Sequence, residues 1–339
     1  METLLIRDAN TDNIKKAADI IAKGGLVAFP TETVYGLGAS ALNSESVLNV
    51  YKAKGRPADN PLIVHLARAE DAEKYAYTNE LYYKLAKRFM PGPLTVILPK
   101  KEIIPYEVSC GLETVALRVP SNEIAHKLIE YSGCPIAAPS ANLSGRPSPT
   151  DFDHVVEDMN GKIEAIIDGG QCDIGLESTV VTIKDNTIEI LRPGKVTYDE
   201  LKEVTDNVTI NGAVKSECTD KKPASPGMKY RHYSPSAPVF LVCGDEDKII
   251  EFFIEKQKKE NCGILCFDED LEMLSDKNVL TFGKADDDEA QAHFLFDRLR
   301  KFDSMDVEKI YARIPSDEGV GLAVYNRLIR AAGFGIINV

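Results

Sequence analysis

Apolar positions in the first half of the chain fall into short runs at irregular spacing. Between Thr11 and Lys23, Ile14, Ala17, Ala18 and Ile21 recur on one face of a helical period and Gly24-Gly25 closes the stretch, so the pattern predicts a helix. LVAF then reads as a buried strand, PTETVYGLGA is too rich in Gly and Thr to start a helix, and SESVLNVYKAK predicts a second helix capped by Ser44. Further apolar runs at LIVHL, LTVIL, VALRV, PIAA, AIID, STVVTI and TIEIL predict strands, with helices at NELYYKLAKRF and NEIAHKLIEY. STVVTIKDNTIEIL predicts a hairpin turning at Asp185-Asn186. This irregular mixture of strands and helices over residues 1–205 predicts an α/β unit with one large twisted mixed sheet.

Beyond Tyr233 the pattern becomes regular. PVFLVCG, CGILCF, NVLTFG and EKIYARI alternate with helical stretches, one of them long and ending at Phe302, and VGLAVYNRLIRAA closes the series. That alternation predicts a smaller doubly wound, Rossmann-like unit over residues 236–339 with a mostly parallel sheet. Between the two lies a connection, 206–235. Asn207–Lys222 is polar and aperiodic and predicts its flexible part, whereas SPGMKYRHYSP (225–235) carries Lys229, Tyr230, Arg231, His232 and Tyr233, an unusual composition for a tether.

Composition narrows the class. No apolar run approaches the roughly 20 residues of a membrane span, and the N-terminus lacks a signal-peptide pattern, so a soluble cytoplasmic protein is expected. The seven cysteines are scattered, with Cys262 and Cys266 as the nearest pair, and read as buried reduced thiols. A net charge of −13, shared by both halves, excludes a polyanion-binding face, so a phosphate ligand must meet a few cations gathered in a pocket. The phosphate-loop, dinucleotide-fingerprint, nucleophile-elbow and HExxH motifs are missing from the sequence.

Polar residues beside buried strands remain. Lys54 and Arg56, held by Gly55 and Pro57, either present a point charge and a guanidinium fork to a polyphosphate or form a solvated basic loop. His65 sits in an apolar strand, where a core histidine is the plain alternative. PIAAPSANLSGRPSPT carries Ser140, Asn142, Ser144, Ser148 and Thr150, either donors for phosphate and ribose oxygens or a Pro-rich turn leading to a helix cap at Thr150. Arg118 and Arg192 each end a core strand and require either a structural carboxylate or a bound anion. Ser178 and Thr179 open a strand, where simple capping also accounts for them.

In this order, PTETVYGLGA, KGRPADNPLIVHL, PGPLTVIL, VALRVP, PIAAPSANLSGRPSPT, DGG, GLESTVV and LRPG resemble the YrdC-like threonylcarbamoyl-AMP synthases of tRNA modification. PGMKYRHYSP and a closing GVGLAVYNRLIRAAGFG resemble the two-domain form of that family. The resemblance implies that L-threonine, bicarbonate and ATP give L-threonylcarbamoyl-AMP and pyrophosphate, with Mg²⁺ accompanying the nucleotide. A separate transferase complex would carry the group to adenosine 37 of tRNA, so direct tRNA binding is not required. It implies Lys54 and Arg56 as catalytic residues facing the triphosphate. Asn60, Thr114, Ser140, Asn142, Ser148, Arg192 and Tyr230 would join them at the ATP site. Thr33, His65, Arg118, Ala138 and Ser178 would form the threonine site, with Arg118 on the substrate carboxylate, and 225–235 would be a lid over the cleft. Two other classes stand against this: a carbamoyl-transfer protein of hydrogenase maturation, whose paired-Cys zinc fingers are missing, and an RNA-binding YrdC-like module, which the acidic charge opposes.

Overall fold

The apolar runs pair into two separate sheets in a computed structural model that describes residues 1–215, 233–274 and 278–339. The first sheet holds β1 (Leu4–Ile6), β2 (Val27–Phe29), β3 (Gly36–Ser40), β4 (Ile63–His65), β5 (Leu94–Pro99), β6 (Thr114–Arg118), β7 (Ile136–Ala138), β8 (Ala165–Ile167), β9 (Thr179–Lys184), β10 (Thr187–Arg192) and β11 (Val208–Ile210). Their order is β1-β8-β2-β3-β7-β4-β6-β5-β9-β10-β11, with parallel pairs such as β4/β6 beside antiparallel ones such as β5/β6. It is the large mixed sheet expected. Asp185 and Asn186 both take positive φ, 50° and 58°, the conformation a two-residue hairpin turn requires, so the β9–β10 turn falls where the sequence placed it.

Three helices, Ser44–Lys54, Glu80–Phe89 and Phe152–Met159, bury Val50, Leu85 and Val155 against one face of this sheet. On the other face, helices Thr11–Ala22 and Glu123–Ser132 pack on Val27, Phe29, Ile136 and Ala165. They cover the β1–β7 end. Towards β10 the same face carries only a small apolar group of Ile63, Ile97, Ala116, Val180 and Leu191, and the cleft described below opens beside it.

Several local readings are corrected. The helix expected to be capped by Ser44 is capped by Asn43, whose side chain accepts from the Ser46 amide, and Ser44 is its first residue. The helix after the Pro-rich loop is capped by Asp151, not Thr150. GLGAS is a central strand, β3, in which a Cβ on Gly38 would stand 2.8 Å from both the Phe29 ring and Ile136, so glycine is what lets these chains approach. The expected flexible stretch from Asn207 is structured as far as described: β11 pairs with β10, and Asn326 and Arg330 donate to the Val214 and Ala213 carbonyls. Residues 216–222 lie outside the described residues. The six described cysteines are free, but Cys110, Cys134 and Cys243 are only partly buried.

The second sheet, β12 (Val239–Cys243), β13 (Cys262–Cys266), β14 (Val279–Thr281), β15 (Lys309–Arg313) and β16 (Ile336–Asn338), is ordered β14-β13-β15-β12-β16 with every pairing parallel. Helix Glu246–Lys259 covers one face and helices Asp288–Asp303 and Gly321–Ala331 the other. Val34 and Leu176 from the first sheet's loops, with Tyr233, enter the latter cluster, so the two sheets share a buried apolar junction. At that junction Gly175 takes φ +81°, and a Cβ there would stand 2.4 Å from the His293 carbonyl oxygen.

Candidate active site

Strand register builds the floor of the cleft. His65 on β4 pairs with Arg118 on β6, Arg118 with Thr95 on β5, Thr95 with Val180 on β9, and Val180 with Arg192 on β10. Side chains at paired positions share a face. One row therefore carries His65, Arg118, Thr95 and Arg192, and the next carries Ala138, Ile63, Ala116 and Ile97.

Each arginine of this row has a protein partner. Arg118 is 4% exposed and donates from Nη2 to Glu32 Oε1 at 2.7 Å and Thr33 Oγ1 at 2.9 Å. Glu32 Oε2 accepts from the Ser121 amide, which fixes the carboxylate. The Arg118 Nε is buried without a hydrogen-bond partner among the described residues, so part of the fork remains to be satisfied. Arg192 donates to Ser178 O at 3.1 Å and Ser178 Oγ at 3.2 Å, and that hydroxyl also meets Thr95 Oγ1 at 2.8 Å. Burial lowers the Arg192 pKa to about 10, with the Glu177 charge opposing the shift. His65 Nδ1 lies 3.1 Å from Ile63 O. Burial, then the Arg118 charge, pushes the His65 pKa down to about 3, which keeps the imidazole neutral.

The wall opposite comes from the end of helix Ser44–Lys54 and the loop after β7. Lys54 Nζ donates to Ser140 O at 2.5 Å, Asn142 O at 2.6 Å and Asn142 Oδ1 at 3.2 Å. Burial and the neighbouring Arg56 push its pKa down, yet three acceptors require the three N–H groups of an ammonium. Lys54 is thus a charged group clamped to the loop that carries Ser140 and Asn142. Ser140 Oγ donates to Asn142 Oδ1, and the Asn142 amide donates to the Leu143 and Arg146 carbonyls, which closes the loop on itself. Arg56 Nη2 donates to Asn60 O and its guanidinium lies over the Tyr51 ring, 5.6 Å from its centroid. The Asn60 side chain is 1% exposed, and neither its Nδ2 nor its Oδ1 has a partner among the described residues.

Glu177 completes the cleft. Its Oε1 accepts from Ser148 Oγ at 2.6 Å and its Oε2 from Arg327 Nε at 3.0 Å. Burial alone would raise its pKa, but Arg327 and Arg192 more than offset this and hold the carboxyl below its ordinary range. Tyr233, at φ +65°, is buried and stacked on Phe296, with ring centroids 5.1 Å apart.

These groups line a concave cleft that is partly open to solvent. The lining brings together Lys54, Arg56, His65, Arg118, Ala138, Ser140, Asn142 and Arg192 of the expected residues. Thr33, Ser148 and Ser178 stand one contact behind, on Arg118, Glu177 and Arg192 respectively. Thr114, half-buried at the start of β6, shares the face of Ala116 and Arg118 but lies at the far end of the strand, outside the lining. Tyr230, with the stretch 225–232, lies outside the described residues. Glu32 and Glu177 were not singled out from the sequence, in which the need of Arg118 and Arg192 for an anion is the one signal, without a location.

Residues 19–194 match the Sua5–YciO–YrdC family model, described as telomere recombination, and residues 196–333 match the model described as threonylcarbamoyl-AMP synthase, C-terminal domain. The chain belongs to this Sua5/YrdC family, in its two-part form. It is 49% identical over 335 residues to the threonylcarbamoyl-AMP synthase of Pyrococcus abyssi, covering 96% of each chain. It is 44% identical over 331 residues to the enzyme of that name from Bacillus subtilis, covering 97% of this chain and 95% of the other. The crystal structure of P. abyssi Sua5 complexed with L-threonine superposes with a TM-score of 0.93 at 45% identity, covering all of both chains.

Proposed function

We propose that the chain is an L-threonylcarbamoyladenylate synthase, joining L-threonine, bicarbonate and ATP into threonylcarbamoyl-AMP with release of pyrophosphate. The observation that carries this reading is a cleft lined by Lys54, Arg56, Arg118 and Arg192 in a chain of net charge −13. Such a cleft suits a reaction in which two anions must meet. The threonine amine forms a bond to the bicarbonate carbon as one carbon–oxygen bond breaks, and the departing hydroxide leaves with an amine proton as water, which gives a carbamate. A carbamate oxygen then forms a bond to the α-phosphorus as the bond to the β-phosphate oxygen breaks and pyrophosphate departs with the electron pair. The protein's part in this is alignment and electrostatic compensation.

In this reading Lys54 and Arg56 face the triphosphate. Ser140, Asn142 and Arg192 serve the nucleotide, with Ser148 behind them on Glu177, and Asn60 and Thr114, outside the lining, are assigned to it by resemblance alone. Tyr230 is assigned to the nucleotide by resemblance alone. Arg118 takes the threonine carboxylate with the part of its fork that Glu32 leaves, and Thr33, neutral His65, Ala138 and Ser178 shape the pocket around it. Two carboxylates at the cleft are engaged, Glu177 by Ser148 and Arg327 and Glu32 by Arg118 and the Ser121 amide. Mg²⁺ would arrive on the triphosphate as part of the substrate. The catalytic unit runs through β11 to Ile210, 236–339 is the second unit, and the residues between are their connection. The product passes to a downstream threonylcarbamoyl transferase complex, in the cytoplasm. No described helix is long and apolar enough to cross a membrane.

Pyrophosphate release, measured with threonine or bicarbonate left out in turn, tests the proposal. Release should require both, and release indifferent to either omission overturns it.

A further inference from the structure

We propose that Arg327, on helix Gly321–Ala331 behind the second sheet, is a positioning residue for the nucleotide end of the cleft, acting through Glu177. The inference rests on the synthase reading above and gives the second unit a part in that reaction.

Arg327 is 0% exposed, and its guanidinium spans two strand ends of the first sheet. Nε donates to Glu177 Oε2 at 3.0 Å, Nη2 to Glu177 O at 3.3 Å and Nη1 to Pro193 O at 2.6 Å. It therefore grips the residue before Ser178 and the residue after Arg192. Through Glu177 it reaches the Ser148 hydroxyl, 2.6 Å from Oε1. The same carboxylate is the leading counter-charge to the buried Arg192 guanidinium. A second buried arginine of this unit, Arg300, holds the Ser148 loop from the adjacent helix, donating to Pro147 O at 2.6 Å and Asp158 Oδ2 at 2.7 Å.

Ser148 and Arg192 are the residues assigned to the nucleotide, and both depend on where Glu177 stands. The Glu32–Arg118–Thr33 group assigned to threonine is held by first-sheet residues alone, with the Ser121 amide as its anchor. A carboxylate buried next to a polyphosphate site would repel the substrate or take up a proton if left uncompensated. Arg327 keeps it charged and fixes where it stands in the cleft wall, beside Ser148 and Arg192. A role through Glu177 thus predicts a split: ATP binding moves strongly, and threonine binding, reached only through Ser178, moves little.

The test uses the full chain with R327K, R327M, E177Q and the double variant R327M/E177Q. ATP binding by calorimetry, KM for ATP and for threonine in pyrophosphate release, and thermal unfolding are all read. R327M should weaken ATP binding about tenfold or more and leave the threonine KM within about twofold. R327K, with the charge but without the planar fork, should recover part of the loss. The double variant removes both members of the Arg327–Glu177 pair but takes the counter-charge from Arg192, so its melting temperature should recover part of what R327M loses, while ATP binding stays weak. Recovery of ATP binding together with stability in the double variant would reduce the pair to a structural tie and overturn the inference. So would equal effects of R327M on both substrates, or unchanged ATP binding. A parent chain that binds ATP yet releases pyrophosphate without threonine overturns the synthase reading instead, and the calorimetry distinguishes the two failures.

Discussion

Replacing Glu32 by glutamine keeps the shape of the side chain that holds Arg118 and removes its charge. The unliganded Arg118 would then keep Thr33 Oγ1 at 2.9 Å and face an uncharged amide where a carboxylate oxygen stands at 2.7 Å. Both residues are at most 5% exposed, so water does not make up the difference. Breaking a buried pair by removing one charge costs about 3–5 kcal/mol, and the retained amide places this case near 3. At roughly 2–4 °C per kcal/mol for a unit of this size, Tm should fall by about 6–12 °C. A threonine carboxylate on Arg118 supplies the missing charge and no longer meets Glu32 as a like charge, so threonine should bind the variant more tightly than the parent. A tenfold gain in affinity would add about 1.4 kcal/mol of ligand-dependent stabilisation at saturation. Calorimetric unfolding across a threonine titration, for both proteins at one pH and salt, reads both quantities. A threonine-induced shift in E32Q no larger than in the parent would refute the placement of the substrate carboxylate on Arg118.

Three further outcomes are expected. Arg118→Ala should raise the threonine KM roughly tenfold more than the ATP KM, since it removes a charge-assisted contact to one substrate, and equal effects would sink the assignment. His65 titrates at about 3 in the folded chain against 6.5 when exposed, so below pH 6.5 the unfolded chain binds a proton the folded one refuses. Stability from this group is complete above pH 6.5 and declines as pH falls towards 3, and His65→Gln should flatten that slope in urea midpoints taken between pH 7 and 4. Gly175→Ala adds a Cβ at φ +81° and 2.4 Å from the His293 carbonyl, which should cost about 2–4 kcal/mol in urea unfolding, and a neutral substitution would mean the junction yields there.

Much of this fold was legible where a local rule coincides with the tertiary outcome. The helix Thr11–Ala22 follows its apolar period, and the β9–β10 turn follows from two residues that tolerate positive φ. The family motifs mark the loops that carry Lys54, Ser140 and Arg192. The missed features depend on partners distant in sequence. Glu32 meets Arg118 across 86 residues and Glu177 meets Arg327 across 150, distances over which no spacing rule operates. β11 and β16 are three-residue strands at sheet edges, defined by the neighbours they pair with and not by an alternation of their own. β3 contains two glycines that read as loop and serve as clearance for Phe29 and Ile136. The choice of Asn43 over Ser44 as a cap is a one-residue matter between two competent side chains.

The order of the first sheet also sets the sequence of events during synthesis. β1 emerges first, yet its partner is β8, with Leu4 opposite Ala165, so the earliest strand waits for most of the catalytic unit before it can pair. High contact order of this kind slows folding and leaves strand edges exposed on the nascent chain. The ion pair to Glu177 forms later still, because Arg327 follows that residue by 150 positions. A ribosome-bound fragment can complete the first sheet without holding that carboxylate through Arg327, so the assembled cleft waits for the second unit.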